Sequence, residues 1–269
     1  MTPHRARTLG VLTAAALAAG GTGAALAKPT ITMSGSTTVA PLASKEARAY
    51  LKKFPRSVTF KLAQGGSDIG VADVAAGRVS IGNSSRDPKP TDPGGLVFNK
   101  IARDAVCIIT NTSNHVANLS QAQIQGLFSG KITDWNQIPG AGVSGAPDIV
   151  VRTAPSGTQD AFQKLFLGTA KVTTTAKQVA SNGLLQQAVK NDPRAVGYVS
   201  LDFTKGVTPA AYQGVACNLR NAKGGQYAGT RNLYMVTRGP ASGAVKKFIK
   251  FILSKTGQRV VSSGWVPIK

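Results

Sequence analysis

The sequence predicts an α/β protein of two lobes, each a central β-sheet flanked by helices. Strand-patterned segments alternate with loops and helix-patterned segments along the chain. Three short runs rich in Gly, Ser and Thr each follow a strand and open a helix. Two further strands, Ala105–Thr110 and Asn232–Thr237, read as crossings between the lobes.

The first strand, Thr30 to Met33, leads into Ser34-Gly35-Ser36-Thr37-Thr38. Apolar residues then recur at Val39, Leu42, Ala43, Ala47, Tyr50, Leu51 and Phe54, a helical stripe. Pro41 fits only a first turn, so this helix begins near Thr38. The second strand, Val58 to Leu62, leads into Gln64-Gly65-Gly66-Ser67, followed by Ile69, Ala72, Ala75 and Ala76 with Gly77 as a stop. A third strand, Val79 to Gly82, leads into Asn83-Ser84-Ser85-Arg86. A fourth, Asp148 to Arg152, leads into Ser156-Gly157-Thr158 and a helix through Phe162, Leu165 and Phe166. Ser67 and Ser156 each have a local reading as N-cap residues. Helices are also expected over Ser120–Phe128, Asn182–Val189 and around Val245–Ile252. Lys131–Pro147, with its glycines and Pro139, reads as a surface connection.

A helix start exposes unpaired N–H groups at the positive end of the helix dipole. Hydroxyls in the same turn add neutral donors, and an arginine fork can clamp a tetrahedral oxyanion. Loops at the C-terminal ends of strands are where open α/β sheets bind ligands.

Residues 1–27 read as a secretory signal: Arg5 and Arg7, then an apolar stretch from Leu9 to Leu17, then Ala25-Leu26-Ala27. That stretch falls short of the ~20 residues a membrane span needs. No other segment qualifies, and no cysteine directly follows the signal. The expectation is an exported, periplasmic protein that does not span the membrane. Lobe 1 is expected over 28–105 and 236–269, with lobe 2 inserted over 106–235. Cys107 and Cys217 pair or remain buried thiols; sequence alone leaves both open.

The 32 basic and 11 acidic residues give a formal charge of +21, and loss of Arg5 and Arg7 with the signal lowers it to +19. Glu46 is the sole glutamate. Such a balance points to anionic partners. The cations are scattered, with clusters at Lys52-Lys53-Arg56 and Lys246-Lys247-Lys250, and no aromatic-interleaved strip favours a specific nucleic-acid partner. Catalysis is disfavoured. His115 is the single histidine after the signal, no serine sits in a Gly-x-Ser-x-Gly elbow, and no metal-ligand cluster is visible.

Over nearly all of residues 28–269 the chain resembles the PstS-like phosphate-binding proteins of ABC importers, a branch of the type II periplasmic binding proteins. The resemblance rests on Ile31 to Leu42, Gln64 to Ser67, Ser84-Ser85-Arg86, Leu127 to Trp135, Arg152 with Ser156-Gly157-Thr158, and Gly197-Tyr198-Val199. It implies a two-lobed fold with two hinge strands, no cofactor, a monomer, and delivery of inorganic phosphate to an ABC permease. It implies ligand contacts at Ser36, Thr37, Thr38, Gly66, Ser67, Ser85, Arg152, Ser156, Gly157 and Thr158, with Arg86 either a second cation on the ligand or a residue lining the entrance. Relatives often carry an acid two residues after the arginine, where Ala154 stands, and some carry an aspartate at the place of Ser85. Asp68, ahead of Asp87, is the expected substitute acceptor for the phosphate proton. Sulfate, molybdate or tungstate is the alternative ligand. A basic envelope- or nucleic-acid-binding protein is the alternative of another class.

Overall fold

Ile31 and Met33 alternate with threonines in β1 (Thr30–Gly35), and they share one core with Leu42 and Ala43 of α1 (Val39–Lys53). The computed structural model describes residues 28–268, so the signal read over 1–27 lies outside it. The chain continues through β2 (Thr59–Leu62), α2 (Ser67–Ala75), β3 (Ile81–Ser84) and a long β4 (Leu96–Thr110). Next come β5 (Asn118–Leu119), α3 (Gln121–Ser129), β6 (Asp148–Arg152), α4 (Gly157–Phe162), β7 (Lys177–Val179), α5 (Asn182–Lys190) and β8 (Ala195–Ser200). The last stretch holds β9 (Thr208–Pro209), β10 (Ala211–Tyr212), α6 (Leu219–Lys223), β11 (Thr230–Arg238), α7 (Gly243–Ile252) and α8 (Lys255–Val261).

The main sheet runs β2-β1-β3-β11-β4-β8-β6-β7, with β9 beside β4. β1 pairs parallel with β2 and β3, and β6 pairs parallel with β7 and β8. β11 and β4 run antiparallel side by side through the middle and join the two halves. Loops leaving β1, β3 and β6 therefore meet where the halves face each other.

Each half has its own core. The first gathers Ile31, Leu42, Tyr50, Phe248, Ile252 and Trp265. The second gathers Phe128, Trp135, Phe162, Phe166 and Tyr198, with Phe162 and Tyr198 stacked at 3.9 Å. Along β4 the change of core falls between Ala102 and Ala105, so Ala105, drawn in lobe 1, packs in the second core. Along β11 it comes earlier than expected: Leu233 and Met235 already lie in the first core. The boundary drawn at residue 235 therefore belongs nearer Arg231.

Other expectations also need correction. β4 begins at Leu96 rather than Ala105 because its first half pairs with β11 from Leu96 onward. The Lys131–Pro147 connection is anchored inward, since Trp135, Ile138 and Ala141 are buried in the second core. Trp135 Nε1 donates to the Arg194 carbonyl at 2.8 Å. β8 and α8 had no separate sequence reading.

Cys107 and Cys217 are joined, which settles the open alternative. The bridge spans 110 residues and ties β4 to the segment before α6. Closing a long loop restricts the unfolded chain, so Cys107→Ala with Cys217→Ala should cost about 2–4 kcal/mol of stability. Urea unfolding checks this. A midpoint equal to that of the oxidised parent would contradict it.

Candidate functional site

The three loops converge as their local chemistry requires. Ser36 orders the turn that leads into α1: its Oγ accepts from the Thr38 and Val39 amides at 3.2 and 3.3 Å and donates to Ser85 Oγ at 2.9 Å. Ser156 caps α4 by accepting from the Thr158 and Gln159 amides, both at 3.2 Å. Ser67 does not cap α2. Its Oγ accepts instead from the Ser85 amide at 3.0 Å, which ties the loop after β2 to the loop after β3. Ser36, Thr37, Thr38, Ser67, Ser85, Arg152, Ser156 and Thr158 are all buried.

The halves touch across this cluster. Thr38 and Thr158 hydroxyls lie 3.1 Å apart. A Cβ on Gly157 would stand 2.3 Å from Ser67 Oγ, and one on Gly66 would stand 2.5 Å from the Pro155 carbonyl oxygen. Gly66 also has φ of 104°, a left-handed conformation that glycine adopts freely. Both positions thus need glycine for the loops to close on one another.

Arg152 enters from the end of β6 with 3% exposure. Its backbone amide donates to Tyr198 Oη at 2.9 Å, and that hydroxyl donates to Gln159 Oε1. Its Nε and Nη2 donate to the carbonyls of Val179 and Ala180. Its Nη1 is buried and meets no protein acceptor. Burial pushes its pKa down to about 10, with a smaller upward effect from Tyr198 and a smaller downward one from Arg231, so it stays cationic at neutral pH.

Two expectations change on contact with the geometry. Arg86 is buried, but its fork faces carboxylates: Asp68 at 2.6 Å and Asp92 at 2.6 and 2.9 Å. Burial alone would lower its pKa; the bonds to Asp92 and Asp68 outweigh that and raise it. Arg86 is therefore committed to an ion-pair network rather than free to take a ligand. Asp68, the expected acceptor, is held by Arg86 and Lys89 and is partly exposed. Asp87 faces outward to Lys164, Asn232 and Tyr234. Both carboxylates already sit among donors, which explains why neither joins the buried hydroxyl cluster. Lys89–Asp160 at 2.7 Å and Lys164–Asp87 at 3.3 Å span the two halves at the rim. A cavity of about 410 Å³ opens there, lined by Ser85, Lys89, Arg103, Lys164 and Arg231 among others.

Three residues of the site escaped sequence reading: Asp104, Arg231 and Asn182. Asp104 and Arg231 are direct partners in the β4–β11 register and form an ion pair at 2.8 Å. Burial pulls Asp104 up and Arg231 down, and their mutual attraction opposes both shifts. The available signal was an acid and a base, Asp104 and Arg231, each directly preceding one of the two apolar crossing runs. Asn182 reaches Thr37 and Thr38 at 3.0 and 2.9 Å from the start of α5. Its signal was Ser181-Asn182-Gly183, a fourth polar turn at a helix start.

Two sheet halves joined by paired strands, with a buried, donor-rich cleft between them, define a two-lobed solute receptor. A profile described as PBP superfamily domain matches residues 20–256. The phosphate-binding protein PstS of Bacillus subtilis is 26% identical over 249 residues, covering 90% of this chain and 82% of that one. A structure from Clostridium perfringens, assigned as a phosphate ABC transporter substrate-binding protein and solved with phosphate bound, is 31% identical. Its TM-score is 0.84, covering 89% of this chain and all of the other. An ABC-type phosphate transport receptor from Vibrio cholerae is 27% identical with a TM-score of 0.71, covering 88% and 99%. The chain belongs to the PBP superfamily and, within it, to the PstS-like substrate-binding proteins of phosphate ABC transporters.

Proposed function

We propose that this protein is an exported receptor that captures inorganic phosphate between its lobes and passes it to an ABC importer, without catalysing a reaction. The observation that carries this reading is the free Nη1 of buried Arg152, at the end of the strand that leads into the Ser156-Gly157-Thr158 turn, together with the Ser and Thr side chains that converge from both lobes. A buried guanidinium without an acceptor is costly, and a tetrahedral oxyanion supplies several acceptors at once. In this reading Thr37, Ser67, Arg152 and the Ser156-Gly157-Thr158 turn bind the anion, and Ser36 orders the loop beneath it. The cations at the rim raise the local anion concentration and speed capture. Arg86, Asp68 and Asp87 hold the rim. Names of the relatives support phosphate as the ligand and a permease as the partner. Among the described residues no helix is long and apolar enough to cross a membrane.

The test is thermal unfolding with phosphate, arsenate, sulfate, molybdate and tungstate. A ligand at 100 times its Kd adds about 2.7 kcal/mol to stability, so phosphate should raise Tm by several degrees. The rise should persist in high salt, because a desolvated cleft is weakly screened. A response to polyanions that salt abolishes, with none to phosphate, would favour the surface-binding class instead.

A further inference from the structure

We propose that Asn182 and Arg231 are positioning residues that fix the direction of the threonine hydroxyls, so that Thr37 and Thr158 face the ligand as donors. The inference rests on the phosphate reading above and deepens it: the receptor takes the dianion in preference to the monoanion.

The orientation of the Asn182 amide follows from its neighbour. Its Oδ1 accepts from the Ser200 backbone amide at 3.2 Å, and a backbone N–H can only donate. Nδ2 must then face the first loop, where it donates to Thr37 and Thr38. Arg231 Nη2 donates to the same Thr38 oxygen at 3.0 Å. With two N–H donors on it, Thr38 Oγ1 has both lone pairs occupied. Its own proton goes to Thr158 Oγ1 at 3.1 Å. Thr158 therefore accepts from Thr38 and turns its proton elsewhere. Thr37, which accepts from Asn182, likewise keeps its proton free.

Arg231 has no donor left to bind an anion. Nε and Nη2 reach Asp104 Oδ2 at 3.1 and 2.8 Å, Nη2 also reaches Thr38, and Nη1 reaches the Ser85 and Gly157 carbonyls at 3.4 and 3.3 Å. All five guanidinium N–H groups have protein acceptors. Arg152, by contrast, has Nη1 free. Asp104 also accepts from Ser200 Oγ at 3.0 Å, and Ser200 is the residue that orients Asn182. Asp104, Arg231, Thr38, Asn182 and Ser200 thus form a closed circuit linking the crossing strands to both lobes. Only Arg152 and the freed hydroxyls remain to meet a ligand from this network, and donors favour the ligand form with more negative charge.

Asn182→Asp tests the direction with little change of shape. A carboxylate there accepts from Thr37 and Thr38, which reverses the relay and turns their lone pairs outward. Phosphate affinity is measured by calorimetry on the full chain between about pH 5.5 and 8, across the second ionisation of phosphate. The surrounding charged or titratable groups are Asp104 on β4, Arg152 on β6, Tyr198 on β8, Asp160 on α4 and Arg231 on β11. All are shared by parent and variant. The parent should bind total phosphate more tightly as pH rises. Asn182→Asp should lose about a hundredfold at the upper pH and invert the trend, whereas Asn182→Ala should lose a similar factor at both ends. If both variants weaken equally and keep the parent's pH trend, the orienting role is wrong while the phosphate reading stands. A folded parent that binds no phosphate removes the phosphate reading itself. If Asn182→Asp does not fold, Thr38→Val and Thr158→Val decide. The relay predicts that the double variant loses at least tenfold less than the product of the single losses, and independent losses would overturn it.

Discussion

Arg152→Ala should weaken phosphate binding more than a hundredfold, the largest single effect expected at this site. Removing one partner of a buried, hydrogen-bonded charge pair costs about 3–5 kcal/mol. Arg152 meets that condition: it is buried, cationic and carries a nitrogen with no protein acceptor. Arg152→Lys should recover only part of the loss, because an ammonium cannot reproduce a fork. Arg86→Ala serves as the internal contrast. Its fork faces Asp68 and Asp92, so the variant should lose stability while the affinity of the folded fraction changes less than about tenfold. Exposed Lys52→Ala and Lys247→Ala should change affinity little, since their field is screened. Titration of all five variants by calorimetry checks the order. Equal losses at Arg86 and Arg152 would overturn the division between rim and cleft.

The contrast between those two arginines marks how far the sequence could be read. The loops were legible because their signals are local. Ser36 orders the turn into its helix and Ser156 caps the one that follows it, and each sits within three residues of the amides it receives. Arg152 was legible because a strand places it beside such a turn. Arg86 looks equivalent on that ground, since it too follows a strand and a serine pair. Its difference lies in Asp92 and Asp68, which are close in sequence but aim at it only through the folded loop. Arg231 and Asp104 were harder still, being 127 residues apart and joined only through the β4–β11 register. Asn182 reaches Thr38 across 144 residues and across the cleft. Local periodicity carries no information on such pairings. The Cys107–Cys217 bridge had the same barrier, because spacing gives no distance.

Glu46 should make the protein less stable as pH rises from about 4.5 to about 8, and Glu46→Met should flatten that trend. The residue lies on the buried face of α1 with Leu42, Ala43 and Tyr50, at 0% exposure. Neither carboxyl oxygen has a hydrogen-bond partner. Burial disfavours the charged form and pushes the pKa from 4.5 up to about 8. Between those values the native state holds a proton that the unfolded chain releases, so unfolding is favoured by each rise in pH. The slope reaches at most about 1.4 kcal/mol per pH unit, and over the whole window the loss is about 3–5 kcal/mol. Asp73, Asp87 and Asp92 have depressed values and act oppositely, losing their contribution as pH falls below the ordinary carboxylate range. Their effect lies at the acid side, whereas Asp104, Asp148 and Asp202, pulled up by burial, act in the same direction as Glu46 and add to its trend. Methionine nearly matches the volume and has no group to strand, so the variant should gain about 3–5 kcal/mol near pH 8 and little near pH 4.5. Glu46→Gln should gain less, because its amide remains without a partner. Urea midpoints at the two ends of the window decide the matter, and a parallel pH dependence in parent and Glu46→Met would refute it. Phosphate affinity should be unchanged in Glu46→Met, since Glu46 lies two turns along α1 from Thr38 and packs into the first core, away from the cleft.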